Sequence, residues 1–194
     1  MNLTQTLDLL ARNPEAPLDI AQVAFLVAKD EYPDLDVDRW LVGLATLADE
    51  IRPTLPGPRR PRLEAFCVQL FQKMGFHGNQ TDYYDPRNSY LNDVLQRRTG
   101  IPISLSALTM ALGQRLDLNI VGLGLPGHFL VKLVDARNGD VIFDPFHAGR
   151  RMALEECSDL VRRVTGLPLD PSPQALVPVP LGAWAYRMLG NLRG

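Results

Sequence analysis

The chain has 194 residues, of which 46% are hydrophobic, and its 20 basic and 22 acidic residues give a net charge of −2. This length and composition predict one compact globular unit with a substantial core. A near-neutral charge argues against general nucleic-acid binding. Arg59, Arg60 and Arg62 stand among prolines, so we expect them in an exposed linker rather than in a binding patch.

No run of 18 apolar residues is present, and the N-terminus lacks the layout of a secretion signal. These features predict a cytoplasmic protein with no membrane partner. Cys67 and Cys157 occur without C-x-x-C spacing, which predicts neither a disulfide framework nor a thiolate metal site. Both are expected to be small buried hydrophobic residues.

The first part of the chain is predicted to be helical. From Leu18 to Ile51 apolar residues recur at steps of three and four, which indicates two amphipathic helices separated by residues 32–36. Residues 53–61 carry four prolines and are predicted to form an exposed loop. A third helix is expected over residues 63–74, ending at Gly75.

A loop dense in Asn, Asp and Gly follows at residues 78–88. It leads into a short predicted helix at residues 89–95, with Ser89 or Asn88 as its N-cap and an end at Thr99 and Gly100. Pro102 suits the first position of the next helix, where a missing N–H costs nothing. That helix is predicted to continue to residue 116.

Three β-rich runs follow, at residues 120–123, 128–134 and 140–144. Asn138 and Gly139 between the last two runs are typical of a hairpin turn, which would bring His128 close to Asp144. A helix is expected at residues 154–164 and an extended linker at residues 168–180, which carry five prolines. An amphipathic helix is predicted from Trp184 to Leu192.

The order of these elements is informative. A helix N-terminus stabilises an anion, so a thiolate nucleophile often lies there, facing a His and an Asp on neighbouring strands. This chain has a predicted helix start near 102, then His128, then Asp144. The arrangement predicts a base and the residue that orients it.

Three segments carry distinctive motifs: N-S-Y-L-N-D-V-L-Q-R-R-T-G-I-P-I-S-L-S at residues 88–106, G-L-G-L-P-G-H-F-L-V at 122–131 and F-D-P-F-H-A-G at 143–149. Together they resemble the transglutaminase-like (papain-type) superfamily core, and specifically the bacterial SirB-type family. The resemblance implies an α+β fold with an N-terminal helical subdomain (1–62) packed on a transglutaminase-like core (63–167), in which a central helix lies against a small antiparallel sheet. Residues 168–194 would be a Pro-rich linker and the start of a tetratricopeptide-like helix, in either a short member or a piece of a longer protein.

The resemblance also implies a cysteine nucleophile, but its ungapped position is occupied by Pro102, which has no nucleophilic atom. Ser106 lies about 40° around the helix from Pro102 and about 6 Å further along, whereas Ser104 points about 200° away. Ser106 is therefore the better substitute. A serine in the first turns of an apolar helix can equally bond to a backbone carbonyl or pack structurally.

The other candidate residues have structural interpretations too. His128 could be a core histidine, and Asp144 before Pro145 could end a strand as a turn residue. Asn88, Tyr90 and Asn92, together with His147, are candidate binding residues, although Asn88 can also act as a helix cap and His147 as a surface-loop residue. No H-x-x-x-H spacing or Cys ligand indicates a metal, and no cofactor is predicted.

The leading hypothesis is a transglutaminase-like protein without its cysteine, serving as a binding or regulatory module for a protein, a peptide or a small ligand. The competing hypothesis is a serine hydrolase or amidase in which Ser106, or less favourably Ser104, is the nucleophile, His128 the base and Asp144 its orienter. A third is a scaffold that uses repeat-like helices, with the C-terminal helix as a docking fragment.

Overall fold

A computed structural model describes residues 1–167 and 176–193 of the chain and has the expected α+β architecture. The helices are α1 (Leu3–Arg12), α2 (Ile20–Glu31), α3 (Val37–Ile51), α4 (Arg59–Cys67), α5 (Leu91–Arg97), α6 (Pro102–Arg115), α7 (Leu154–Thr165) and α8 (Leu181–Leu192). The strands are β1 (His77–Gly78), β2 (Thr99–Gly100), β3 (Ile120–Leu125), β4 (His128–Leu133), β5 (Val141–Asp144) and β6 (Arg150–Met152). A π-helical turn, Val68–Lys73, extends α4, and two short 3-10 turns cover Arg52–Thr54 and Pro86–Asn88.

The main sheet has four antiparallel strands in the order β3-β4-β5-β6. The hairpin between β4 and β5 pairs Val131 with Phe143, and Gly139 in its turn has φ +82°, a conformation that glycine adopts without strain. Both strands of this hairpin are buried along most of their length, as expected for strands in the middle of a sheet. The predicted antiparallel pairing is confirmed, but the two strands are joined by the longer loop 134–140 rather than by a two-residue Asn-Gly turn.

Helix α6 is the centre of the core. Every residue from Pro102 to Thr109 is buried, because the helix packs on the sheet on one side and on α2, α3 and α5 on the other. A helix covered on all sides needs no polar face. Pro102 occupies its first position, as predicted, and the preceding Ile101 is extended.

Helix α8 packs against the N-terminal turn of α6. Its Trp184 side chain is 1% exposed, and the indole Nε1 lies 3.5 Å from the carbonyl oxygen of Ile103. Ala185 and Met188 are buried as well, and α8 packs against α1, α2 and α6. The apolar face of the helix is therefore covered by this chain itself.

The expectation of an exposed loop over residues 53–61 is wrong at its C-terminal end. Helix α4 begins at Arg59, and Pro61 fits inside its first turn because the N–H groups there have no intrahelical partner. Arg60 and Arg62 are accordingly not in a linker. Their guanidinium groups donate to backbone carbonyls, Arg60 to Gly139 at 3.3 Å and Arg62 to Leu116 at 2.7 Å.

Other boundaries also differ from expectation. Thr99 and Gly100 were expected to end a helix. They form β2, which pairs in parallel with β1. Helix α1 and strand β6 were not predicted. Helix α1 is stabilised by a capping box in which Asn2 and Gln5 bond reciprocally, a pattern that the sequence carries in N-x-x-Q.

Residues 168–175, which form most of the predicted proline-rich linker, lie outside the described part of the chain. Of the two cysteines, Cys157 is buried as expected, whereas Cys67 is partly exposed. Burial raises the pKa of Cys67 to about 12 and that of Cys157 to about 11. Among the described helices, none combines the length and the apolar character needed to cross a membrane.

Candidate functional site

His128 and Asp144 form a buried pair across the β4–β5 hairpin. His128 begins β4 and Asp144 ends β5, and the imidazole Nε2 lies 2.8 Å from the carboxylate Oδ2. The residues are 9% and 1% exposed. The proximity predicted from the hairpin is confirmed. Because an ionised carboxylate accepts hydrogen bonds, this contact places the proton on Nε2 and leaves Nδ1 as the free ring nitrogen.

His147 bonds to the same carboxylate. Its Nδ1 lies 2.7 Å from Oδ2 of Asp144, while Oδ1 accepts the backbone N–H groups of Phe146 at 2.9 Å and His147 at 3.4 Å. Burial opposes ionisation of Asp144, but the hydrogen bonds and charges of His128 and His147 outweigh it and lower the pKa of Asp144. The carboxylate is therefore a fully hydrogen-bonded anion at the base of the site.

A small cavity lies in front of His128. It has a volume of about 150 Å³ and is called here the His128 cavity. It is lined by Tyr83, Pro102, Ile103, Gly127, His128, Phe129, Arg187 and Asn191. Pro102 thus lies on the wall of this cavity, at the N-terminus of α6, where a nucleophile of the expected type would face the imidazole.

The two serines of α6 are bonded elsewhere. The Ser104 hydroxyl donates to the carbonyl of Asn88 at 2.5 Å, lies 3.1 Å from that of Ile101 and accepts the N–H of Ile101. Ser106 is 0% exposed, and its hydroxyl lies 3.5 Å from the carbonyl oxygen of Phe129. Neither residue lines the His128 cavity, and neither bonds to His128 among the described residues.

Asn88 does not cap a helix, contrary to one expectation. Its buried amide donates to the carbonyls of Asp82 at 2.7 Å and Tyr83 at 3.2 Å and accepts from Asn79 at 3.1 Å. These bonds fix the loop that delivers Tyr83 to the His128 cavity. Asn88 therefore supports the cavity wall from behind and does not line it.

Tyr90 and Asn92 also lie outside the cavity lining. Tyr90 precedes α5, and its ring packs edge-on to that of Tyr32 at 5.5 Å. Asn92 is 7% exposed, and its Oδ1 has no hydrogen-bond partner among the described residues. The structure thus does not bring Asn88, Tyr90 and Asn92 into one surface with His128.

His128, Asp144 and His147 are the group in the described part of the chain that could hold a metal ion. One ligand atom from each residue falls within 4.8 Å of the others, and two imidazoles with a carboxylate suit several divalent cations. The sequence analysis predicted no metal site from these residues, because they lack an H-x-x-x-H spacing and a Cys ligand. The same atoms now bond to one another, so a metal would have to replace these hydrogen bonds.

Arg187 and Tyr83 were not identified from the sequence. Arg187 projects from α8, and its NH2 group donates to the carbonyls of Leu125 and His128, both at 2.7 Å. Its guanidinium also lies 5.4 Å from the ring centroid of Phe129. No local signal could have linked it to His128, because the contact joins the last helix to the β3–β4 turn.

Curated proteins similar to this chain come from bacteria and animals. A UPF0162 protein of Xylella fastidiosa (strain 9a5c) is 39% identical over 189 residues, covering 94% of this chain and 66% of that protein. A UPF0162 protein of Pseudomonas aeruginosa is 30% identical over 188 residues, covering 96% of this chain and 67% of that protein. F-box only protein 21 of Homo sapiens is 35% identical over 106 residues, covering 51% of this chain and 17% of that protein.

This chain therefore spans about two thirds of the length of the UPF0162 relatives described. No solved structure matches it. The family profile described as transglutaminase-like superfamily matches residues 38–190, a range that includes α6, the β4–β5 hairpin and most of α8. From this match and the geometry of the site, the chain belongs to the transglutaminase-like superfamily.

Proposed function

We propose that this chain is a SirB-type transglutaminase-like domain that has lost its nucleophile and binds a peptide or small ligand in the His128 cavity. The observation that carries the proposal is the position of Pro102. It lies on the cavity wall beside an imidazole that is still oriented by a buried carboxylate. The base and its partner are kept, while the atom that they would activate is missing.

The serine-hydrolase alternative has less support. A serine nucleophile must lie within about 2.6–3.2 Å of its base and be open to substrate. Ser104 and Ser106 are 1% and 0% exposed, and both hydroxyls bond to backbone carbonyls. These contacts favour a structural role for both serines, in which they fix the position of α6.

The proposal requires that the cavity bind without turnover. Purified protein is incubated with p-nitrophenyl acetate and, separately, with a fluorophosphonate probe. We expect no His128-dependent ester hydrolysis and no covalent labelling. Hydrolysis that disappears in His128→Ala, or labelling that disappears in Ser106→Ala but not in Ser104→Ala, would overturn the proposal in favour of the serine hydrolase.

Binding is tested directly by NMR titration with N-acetylated dipeptides, monitored at the imidazole signals of His128. We expect saturable shifts at His128 and none at His77, whose exposed ring bonds to Gly75 and Thr99 and does not line the cavity. Asn191→Trp is the blocking variant, because Asn191 lines the cavity from an exposed position near the end of α8. Equal binding by this variant would place the ligand elsewhere and contradict the proposal.

A further inference from the structure

The guanidinium of Arg187 has no carboxylate partner among the described residues, although it is only partly exposed on the wall of the His128 cavity. Its bonds to the carbonyls of Leu125 and His128 use the NH2 group alone. The Nε and NH1 donors have no acceptor within the described part of the chain. A partly buried cation without a counter-charge is costly to desolvate.

Several other groups around the cavity can donate hydrogen bonds. The hydroxyl of Tyr83 stays protonated because burial raises its pKa, and Asn191 offers an amide. The backbone N–H of Ile103 lies in the first turn of α6, where it has no intrahelical acceptor and the helix dipole favours an anion. None of the residues that line the cavity is acidic.

The acidic residue behind the cavity does not neutralise this charge by direct contact. Both oxygens of Asp144 are occupied, by the imidazoles of His128 and His147 and by two backbone N–H groups. The front of the site is therefore rich in unused donors and holds a cation. Desolvation lowers the pKa of Arg187, a cost that a bound anion would reduce.

We infer that the ligand of the His128 cavity carries a small oxyanion, a carboxylate or a phosphate, which binds against Arg187, Tyr83 and the N-terminus of α6. This inference rests on the proposed binding function and specifies its ligand class. A cavity of about 150 Å³ admits one such group. The rest of the ligand would extend past Asn191 to the surface.

Arg187 also has a structural role that the experiment must separate from binding. Its bonds to Leu125 and His128 hold the β3–β4 turn, in which Gly127 has φ +71°. That role uses the NH2 group and does not explain the unused Nε and NH1 donors. Melting temperature measures the first role, and the preference for an anion measures the second.

The test compares N-acetyl-Ala-Ala with its C-terminal amide on the intact chain, again at the His128 imidazole and at matched ionic strength. We expect the free acid to bind at least about tenfold more tightly, because a charge-assisted hydrogen bond is lost in the amide. Arg187→Gln should abolish this preference and Arg187→Lys should keep part of it. Arg193→Gln is the matched control, since Arg193 is an exposed cation just beyond the same helix.

Inorganic phosphate forms the second arm. Competition between phosphate and the acid peptide supports a general oxyanion site, whereas acid binding without competition supports a peptide carboxylate. Equal affinity for acid and amide in the wild-type chain overturns the oxyanion inference but leaves the binding function intact. A preference that survives in Arg187→Gln overturns the inference as well. Ester hydrolysis that depends on His128 would instead remove the proposed function itself.

Discussion

Pro102 and His128 line the same cavity, one at the first position of α6 and the other at the start of β4. The Nδ1 atom of His128 is the ring nitrogen not bonded to Asp144. A thiol in place of Pro102 would therefore meet both a helix N-terminus and an imidazole, the two features that lower a thiol pKa.

Pro102→Cys should consequently create a reactive thiol. We expect it to alkylate with iodoacetamide at pH 7 at least about tenfold faster than an unperturbed thiol of pKa ~8.5, since most of it would be thiolate. The native thiols give little background because burial raises the pKa of Cys67 to about 12 and of Cys157 to about 11. The rate is measured by mass spectrometry of the labelled peptide.

His128→Ala in the Pro102→Cys background is the control and should return the thiol to ordinary reactivity. If Pro102→Cys alkylates no faster than a free peptide thiol, the relation between Pro102 and a lost nucleophile is contradicted.

Asp144→Asn should destabilise the fold. The substitution removes a buried negative charge that accepts from two imidazoles and two backbone N–H groups. We expect the free energy of unfolding to fall by about 2–4 kcal/mol at pH 7, as measured by urea titration. Asp159→Asn, whose carboxylate is 61% exposed beside Arg162, should change it by less than about 0.5 kcal/mol. Equal effects of the two variants would argue against the central role given to Asp144.

Asp85 should make stability dependent on acid pH. Hydrogen bonds from Arg87 outweigh its desolvation and, together with the charge of Arg97, lower the pKa of Asp85 from 3.8 to about 2. Because the native pKa lies below the unfolded one, the stabilisation is complete above about pH 4 and is lost as the pH falls towards 2. Urea titrations of the wild type at pH 7, 4, 3 and 2.5 measure this loss.

Asp85→Asn should make the decline between pH 4 and 2.5 smaller, although Asp140 and Asp144, whose pKa values are also lowered, still contribute to it. Asp49→Asn, at a carboxylate that is 73% exposed, should leave the decline unchanged. If the free energy of unfolding of the wild type fell no more steeply with acid than that of Asp85→Asn, Asp85 would be ruled out as a source of the acid dependence.

The two serines should differ in their contribution to stability. Ser104→Ala removes a buried hydroxyl bonded to the Asn88 carbonyl and the Ile101 N–H, which then keep only their mutual bond of 3.3 Å, so we expect a loss of about 1–2 kcal/mol. Ser106→Ala removes only a long contact of 3.5 Å and should cost less than about 1 kcal/mol. Chemical denaturation of both variants checks the order. The reverse order would mean that Ser106 has a role beyond its bond to Phe129.

Gly78→Ala should disturb the site through Phe146. A Cβ atom at Gly78 would lie 2.4 Å from the Phe146 ring, which packs at 6.0 Å from the imidazole of His128. We expect a destabilisation of about 1–3 kcal/mol and a change in the His128 imidazole signals. Gly43→Ala is the control, because a Cβ atom added at Gly43, which lies inside α3, would have nothing within 4 Å. It should stabilise the chain by about 0.5–1 kcal/mol. Unchanged His128 imidazole signals in Gly78→Ala would contradict the coupling of Gly78 to His128 through Phe146.

The sequence by itself determined the features that depend on local chemistry. The helix start at Pro102 and the reversal of the chain near Asn138 and Gly139 follow from the backbone preferences of those residues. The proximity of His128 to Asp144 followed from the antiparallel order of β4 and β5, which brings the start of one strand close to the end of the other. The superfamily likeness was visible for the same reason, in continuous segments around these elements.

Only the tertiary structure decided which side chains meet in front of His128. Arg187 comes from the last helix and Tyr83 from a loop that Asn88 holds in place, and neither is near His128 in the sequence. The side chain of Asn88 could either cap a helix or bond to loop carbonyls, and the packing of the loop decided for the second role. Contacts between distant segments depend on how whole elements pack, and residue patterns within one segment do not encode that packing.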